Sequence, residues 1–168
     1  MRTATSIAIA LFSAVCTAAP NGPTNVCFVR ADTVSVKVGE NSESRQAQSH
    51  LGLRPKGTQL FELDISVAGD NLAVCSVNGV ARLRGEPGRE SLALVVRPDP
   101  TFKNVRTGTL CQVFVQLTPT AVELATTQSS CRAQALCGGQ LQLHGQRFEN
   151  STKLPATEKG PCFATRAP

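Results

Sequence analysis

Few side chains in this 168-residue chain could perform acid–base chemistry, since it has two histidines and no tyrosine or tryptophan. Glu62 and Asp64 are two residues apart and would share one face of a β-strand. A closed pocket that held either carboxylate beside His50 or His144 could provide a general base. A solvated strand face produces the same spacing, however, and fingerprints such as G-x-S-x-G or H-E-x-x-H do not occur. The residues therefore favour a protein that is not an enzyme and needs no cofactor, with an enzyme of unfamiliar site as an alternative.

The amino terminus has the order of charges and apolar residues that is typical of a secretory signal peptide. A positive start at 1–3 is followed by an apolar run over 7–15, then by small residues up to Pro20. The run is far shorter than the roughly 20 residues that span a bilayer. We predict cleavage after Ala18, so that a signal peptide (1–18) precedes a single disulfide-stabilised β domain (19–168). The protein would then be periplasmic or secreted and would not span a membrane.

Cleavage would remove one of the seven cysteines, Cys16, and leave an even set. An even number of cysteines in an exported domain indicates disulfides, here three with fifteen possible connectivities. We favour the pairs Cys27–Cys162, Cys75–Cys137 and Cys111–Cys131. A pairing of Cys131 with Cys137 would instead close a small rigid ring. A zinc site using these two cysteines and His144 is less favoured, because five residues separate the cysteines and zinc pairs usually have two to four between them. We therefore expect no metal.

Charge gives a more informative signal than the acid–base residues. Without Arg2, 16 basic residues stand against 12 acidic ones. Arg82 and Arg84 would form a basic stripe on an exposed strand face, suited to carboxylate or phosphate. The candidate contact residues are Arg82, Arg84, Arg132, Gln134 and His144. Nucleic acid is not an expected partner, because aromatic side chains that could stack on bases are scarce and the protein is exported.

Alternation with a period of two dominates the chain and predicts strands with one buried side. Such strands are indicated around 33–38, 58–68, 92–97, 110–117 and 122–126. Asn78-Gly79 predicts a two-residue hairpin turn, which would place Cys75, Arg82 and Arg84 on one face and Val74, Ala81 and Leu83 on the other. Residues 58–84 would then form a three-stranded meander. The polar segment 39–49 is predicted to be a mobile loop, and a loop-like tail is expected from about residue 150.

These patterns predict the fold class. About eight to ten short strands separated by turn residues indicate an all-β protein, a small antiparallel barrel or sandwich stapled by three disulfides.

The arrangement resembles the small bacterial periplasmic proteins known as lysozyme-inhibitor-like β-modules. Four segments between 58 and 148 carry the resemblance, namely Cys75-Ser-Val-Asn-Gly79-Val-Ala81, Cys111-Gln-Val-Phe-Val, Cys131 with Cys137-Gly138, and Leu143-His-Gly145-Gln-Arg-Phe148. The resemblance implies a periplasmic barrel-like module that binds an enzyme attacking the cell wall. Such inhibitors often offer a Tyr, a His or an acidic residue, and the loop between Cys131 and Cys137 has none of these.

The resulting hypothesis is an exported, non-enzymatic binding protein, an inhibitor or immunity-type protein against a cell-wall hydrolase or toxin. The positive charge favours an acidic partner, because a basic one would be repelled. The alternative from another class is an envelope structural or adhesive protein that binds anionic glycan or lipid.

Overall fold

A computed structural model describes residues 25–85, 91–96, 110–127, 131, 137, 142–155 and 160–164. These residues contain eight β-strands and two short 3-10 helices. The strands are β1 (Val26–Val38), β2 (Asn41–Pro55), β3 (Leu60–Ala68), β4 (Val74–Arg84), β5 (Ser91–Val96), β6 (Cys111–Leu117), β7 (Ala121–Thr126) and β8 (Arg147–Glu149). The 3-10 helices are Asp70–Leu72 and Asn150–Thr152. In this part of the chain no helix has the length and apolarity needed to cross a membrane.

Each strand pairs antiparallel with the next, and the eight-stranded sheet curls into a nearly closed barrel. At the seam, Phe28 of β1 forms a bridge with Lys153, just after β8, and the Leu154 N–H donates to the Cys27 carbonyl at 2.8 Å. Arg30 adds a side-chain link, because its Nη1 donates to the Arg147 carbonyl at 2.7 Å. The predicted all-β class and the barrel are confirmed.

The core lies inside the barrel and is built from the alternate residues of the strands. In β3, for example, Phe61, Leu63, Ile65 and Val67 are buried while Glu62 and the other intervening residues are more accessible, except Ser66. Largely buried side chains from the remaining strands complete the core, among them Leu51, Leu53, Leu92, Val113, Val115, Leu124 and Phe148. Strand alternation thus directs one face inward and the other toward solvent.

The predicted hairpin at Asn78-Gly79 is wrong. Both residues lie inside the single 11-residue strand β4, where Asn78 pairs with Asp64 and Gly79 with Leu63. Strand β3 offers pairing along most of β4, so tertiary pairing overrides the local turn preference. Residues 58–84 therefore form two strands and not a three-stranded meander.

The predicted faces of β4 change with this correction. Cys75 is buried on the same face as Ala81, whereas Arg82 and Arg84 are exposed with Val74 on the opposite face. Gly79 also has a packing role, because a Cβ there would lie 2.8 Å from Cδ1 of Leu94.

The prediction of a mobile loop at 39–49 is also wrong. Residues from Asn41 onward belong to β2. All 13 residues of β1 pair with this strand. Only Gly39 and Glu40 separate the strands, and Gly39 has the left-handed φ of +65° that such a turn requires. The segment is polar because most of it is solvated. Its composition therefore resembles that of a loop, although it pairs with β1.

The structure confirms the three favoured disulfides. Cys27–Cys162, Cys75–Cys137 and Cys111–Cys131 have Cα–Cα distances of 5.8, 4.8 and 4.5 Å. Since Cys131 and Cys137 bond elsewhere, the alternative small ring between them does not form. Three disulfides indicate an oxidising extracellular or periplasmic environment.

Candidate functional site

The outward side chains of β2, β3 and β4 form a regular array. Across the three strands, the register gives the rows Arg54, Glu62 and Val80; Gly52, Asp64 and Asn78; and His50, Ser66 and Ser76. A groove of about 660 Å³ lies over these rows, and the segment 160–164 contributes to its lining. We call it the outer groove.

The segment that borders the outer groove is held against the sheet in two ways. Its disulfide joins Cys162 to Cys27 on β1, and the Phe163 N–H donates to Oδ2 of Asp64 at 2.6 Å. Gly52 makes the close approach possible, since a Cβ at that position would lie 2.8 Å from the Phe163 ring and 2.9 Å from the Cys162 Cβ. The absence of a side chain at Gly52 therefore leaves room for the segment on β2.

His50 and Asp64 meet in the outer groove. Nε2 of His50 is 3.5 Å from Oδ2 of Asp64, and each side chain is only 16% exposed. Ser66 is the cross-strand neighbour of His50 and accepts a 3.4 Å hydrogen bond from Ser76, but no hydrogen bond joins it to His50. The arrangement could orient a histidine as a base, although the same carboxylate oxygen of Asp64 already accepts the Phe163 N–H.

Glu62 lies in the same groove and is held by cations. Nε of Arg54 and Nζ of Lys56 are both 3.2 Å from its Oε2. The Arg54 guanidinium also stacks over the Phe163 ring, 4.1 Å from the centroid. The Glu62 carboxylate is therefore compensated by two basic groups, which is an arrangement suited to packing the segment and not to proton transfer.

Arg82 and Arg84 lie beyond the groove on the outer face of β4, and both are exposed. Leu60, the cross-strand neighbour of Arg82, is 38% exposed, and Val80 is 55% exposed. We call Leu60, Val80, Arg82 and Arg84 the basic ridge. Within the described part of the chain, neither arginine has an acidic side chain at ion-pair distance, although the other four described arginines do.

The other predicted contact residues do not join the basic ridge. His144 follows β7, three strands further along the sheet than β4, and its Nδ1 accepts the Thr126 N–H at 3.1 Å. That bond gives His144 a structural role at the end of β7. Arg132 and Gln134 lie outside the described residues.

Several residues of this surface escape sequence reasoning. Leu60 and Val80 are missed because the strand alternation around a supposed turn at 78–79 assigns them no shared surface. Phe163 is missed because it lies in a stretch without periodicity. The pairing of Cys162 with Cys27 is the one sequence signal that could have placed Phe163 against the sheet.

Comparison of the chain with family models, with curated proteins and with solved structures finds no significant match.

Proposed function

We propose that this chain is an exported, non-enzymatic barrel protein that binds and inhibits a cell-wall hydrolase or toxin with an acidic surface. The observation that carries the proposal is the basic ridge, where Arg82 and Arg84 present two exposed guanidinium groups beside apolar side chains. Guanidinium groups exposed in this way are suited to bidentate pairing with the carboxylates of an acidic partner.

The composition of the basic ridge supports a protein partner over a simple anion. Arginine is enriched at protein interfaces and binds carboxylates in a bidentate way, whereas Leu60 and Val80 provide apolar area that a polyanion would not use. A positive ridge on a chain of net positive charge favours encounter with acidic partners and disfavours basic ones.

The test uses purified cell-wall hydrolases of acidic and of basic isoelectric point, titrated with the natively produced protein at low and at high salt. We expect a 1:1 complex and loss of activity with an acidic hydrolase, weakened at high salt. Arg82→Glu and Arg84→Glu should each raise the Kd at least tenfold, because each places a like charge at the interface.

Lys37→Glu is the matched control, since it makes the same charge change at an exposed position on β1. It should leave the Kd within about threefold of the wild-type value, as expected for a distant, partly screened charge. Equal weakening by all three variants would contradict recognition by the basic ridge. Failure to bind any hydrolase, together with salt-sensitive retention on an anionic polysaccharide or on anionic lipid vesicles, would favour the envelope glycan- or lipid-binding alternative.

The outer groove favours a second candidate function, a hydrolase in which His50 is the base. The observation behind it is the proximity of His50 to Asp64 next to two serine hydroxyls. The test measures turnover of peptidoglycan and of a panel of nitrophenyl esters. This candidate requires turnover that His50→Gln abolishes, and an inactive wild-type protein would exclude these substrate classes.

A further inference from the structure

The outer part of the β1–β2 hairpin is a two-stranded ribbon with two different edges. Strand β3 pairs with β2 only over 50–55, so residues 41–49 have β1 on one side and no strand of the described chain on the other. Hydrogen-bonded and non-hydrogen-bonded pairs alternate from the turn at Gly39 and Glu40. The backbone groups of Ser42, Ser44 and Gln46 therefore point away from β1.

Hydrogen bonds elsewhere in the ribbon agree with this alternation. On the β1 side, the N–H groups of Ser35 and Lys37 point outward and donate to the side chains of Asp70 and Asn71, both at 2.9 Å. Further along β2, His50 has the same parity as Ser44 and pairs outward with β3. One edge of the ribbon is thus capped by side chains, whereas the edge at 42–46 has no partner among the described residues.

The side chains along the open edge are self-complementary. Glu43 and Arg45 form an exposed ion pair within the chain, with Nη2 of Arg45 3.2 Å from Oε2 of Glu43. In an antiparallel pairing with a second copy, with the two-fold axis at Ser44, Glu43 of each chain also lies opposite Arg45 of the other, so four alternating charges meet across the axis. These are non-hydrogen-bonded positions of the new ladder, where cross-strand side chains come closest. The three outward residues, Ser42, Ser44 and Gln46, then supply six backbone hydrogen bonds across the axis. No proline occurs between 39 and 49 to block the edge.

We propose that the open edge of β2 at 42–46 pairs with the same edge of a second copy, which joins two barrels through a continuous antiparallel sheet. The association is weak and depends on concentration, because two short strands bury less surface than a permanent interface requires. It is independent of hydrolase binding, since the basic ridge lies on β3 and β4.

Sedimentation of the oxidised full chain from about 1 µM to about 1 mM at low salt tests the pairing through a set of charge variants. Glu43→Arg and Arg45→Glu each replace the ion pair within the chain by a like-charge pair, which affects monomer and dimer alike. Each also creates two like-charge pairs across the axis, in the dimer alone, and should raise the dimer Kd at least tenfold. The double exchange Glu43→Arg/Arg45→Glu restores opposite charges and should return the Kd to within about threefold of wild type. Glu40→Arg makes the same charge change as Glu43→Arg, but in the turn. It is the control for net charge and should have little effect on the dimer Kd.

Two further measurements distinguish loss of dimerisation from loss of folding. Ser44→Pro removes an outward N–H but no bond of the β1–β2 ladder, so it should abolish dimerisation and leave the circular dichroism spectrum unchanged. Hydrogen exchange at the Ser42, Ser44 and Gln46 amides should slow as protein concentration rises.

Three outcomes would overturn the proposal. The first is a monomer throughout the concentration range, and the second is a dimer whose Kd the double exchange fails to restore. The third is protection of the same amides by an added extended polar peptide in a protein that does not self-associate, which would assign the edge to a foreign strand.

Discussion

Single residues on β2 and β3 position the segment 160–164 on the barrel. Gly52 allows the Phe163 ring and Cys162 to approach the β2 backbone, and Asp64 then accepts the Phe163 N–H. Arg54 contributes from the same surface by stacking over the ring. Three residues of β2 and β3 therefore position one border of the outer groove.

We expect Gly52→Ala to lower the free energy of unfolding by about 1–3 kcal/mol, because the new Cβ would overlap the Phe163 ring and the Cys162 Cβ. Denaturant unfolding measures this change. Gly57→Ala is the matched control, since a Cβ there meets nothing within 4 Å, and its effect should stay within about 0.5 kcal/mol. A loss of similar size in both variants would mean that contact with the segment 160–164 is not responsible, and backbone entropy could not explain it, because Gly→Ala stabilises through the unfolded chain.

Among the elements, the β1–β2 ribbon is held at its outer end by the β3–β4 connection. Its buried end joins the barrel, and the 3-10 helix Asp70–Leu72 is the one element of the described chain that holds an edge of its outer end. Asn71 adopts a left-handed φ of 55°, which asparagine tolerates, and this conformation accompanies the contact of its side chain with Lys37. The β3–β4 connection therefore acts as an edge cap for a strand that is distant in sequence.

Removal of the Asp70 carboxylate should expose one edge amide selectively. In Asp70→Ala, we expect faster hydrogen exchange at Ser35, whose N–H loses its acceptor, and a stability loss of about 0.5–1.5 kcal/mol. The amide of Lys37, still bonded to Asn71, and those of Val34 and Val36, which face β2, are internal controls. Equal acceleration at all four amides would show that the whole ribbon opens and that Asp70 does not cap a single bond.

For the whole molecule, the three disulfides are nested. Cys27–Cys162 spans 135 residues and encloses Cys75–Cys137, which spans 62 and encloses Cys111–Cys131, which spans 20. The two inner bridges start from buried cysteines on β4 and β6, whereas the outer one joins the segment to the outside of β1. The inner bridges thus attach Cys131 and Cys137 to the core. The outer bridge attaches the segment 160–164 to the surface of the barrel.

We expect Cys27→Ala/Cys162→Ala to fold into the same barrel with a stability loss of about 2–4 kcal/mol, because the longest loop is no longer closed in the unfolded chain. The Phe163 amide should lose its exchange protection, since its bond to Asp64 depends on the tether. In Cys111→Ala/Cys131→Ala, the same amide should remain protected. Persistent protection of Phe163 in the first variant would show that Gly52, Asp64 and Arg54 hold the segment without the disulfide.

The fold class and the positions of β3, β5, β6 and β7 could be predicted from the sequence alone, whereas the disulfide pairing was one favoured choice among fifteen that the structure then confirmed. Strand alternation reports which face is buried whatever the partner strand, and the nested order of the cysteines suits a barrel whose ends meet. The exposure of Arg82 and Arg84 on one face was also predictable. Two residues that are two positions apart lie on the same face of any strand, and charged side chains favour the solvated face.

Which strands continue and which surfaces form depends on contacts between strands that are distant in sequence. Asn78-Gly79 has the local chemistry of a turn, and residues 41–49 have the composition of a loop, yet both pair as strands because β3 and β1 provide partners along their length. The meeting of His50 with Asp64, and of Leu60 and Val80 with the two arginines, follows from this register. Cross-strand register is set by contacts distant in sequence, so the residues that make up either candidate site could not be grouped before the sheet was known.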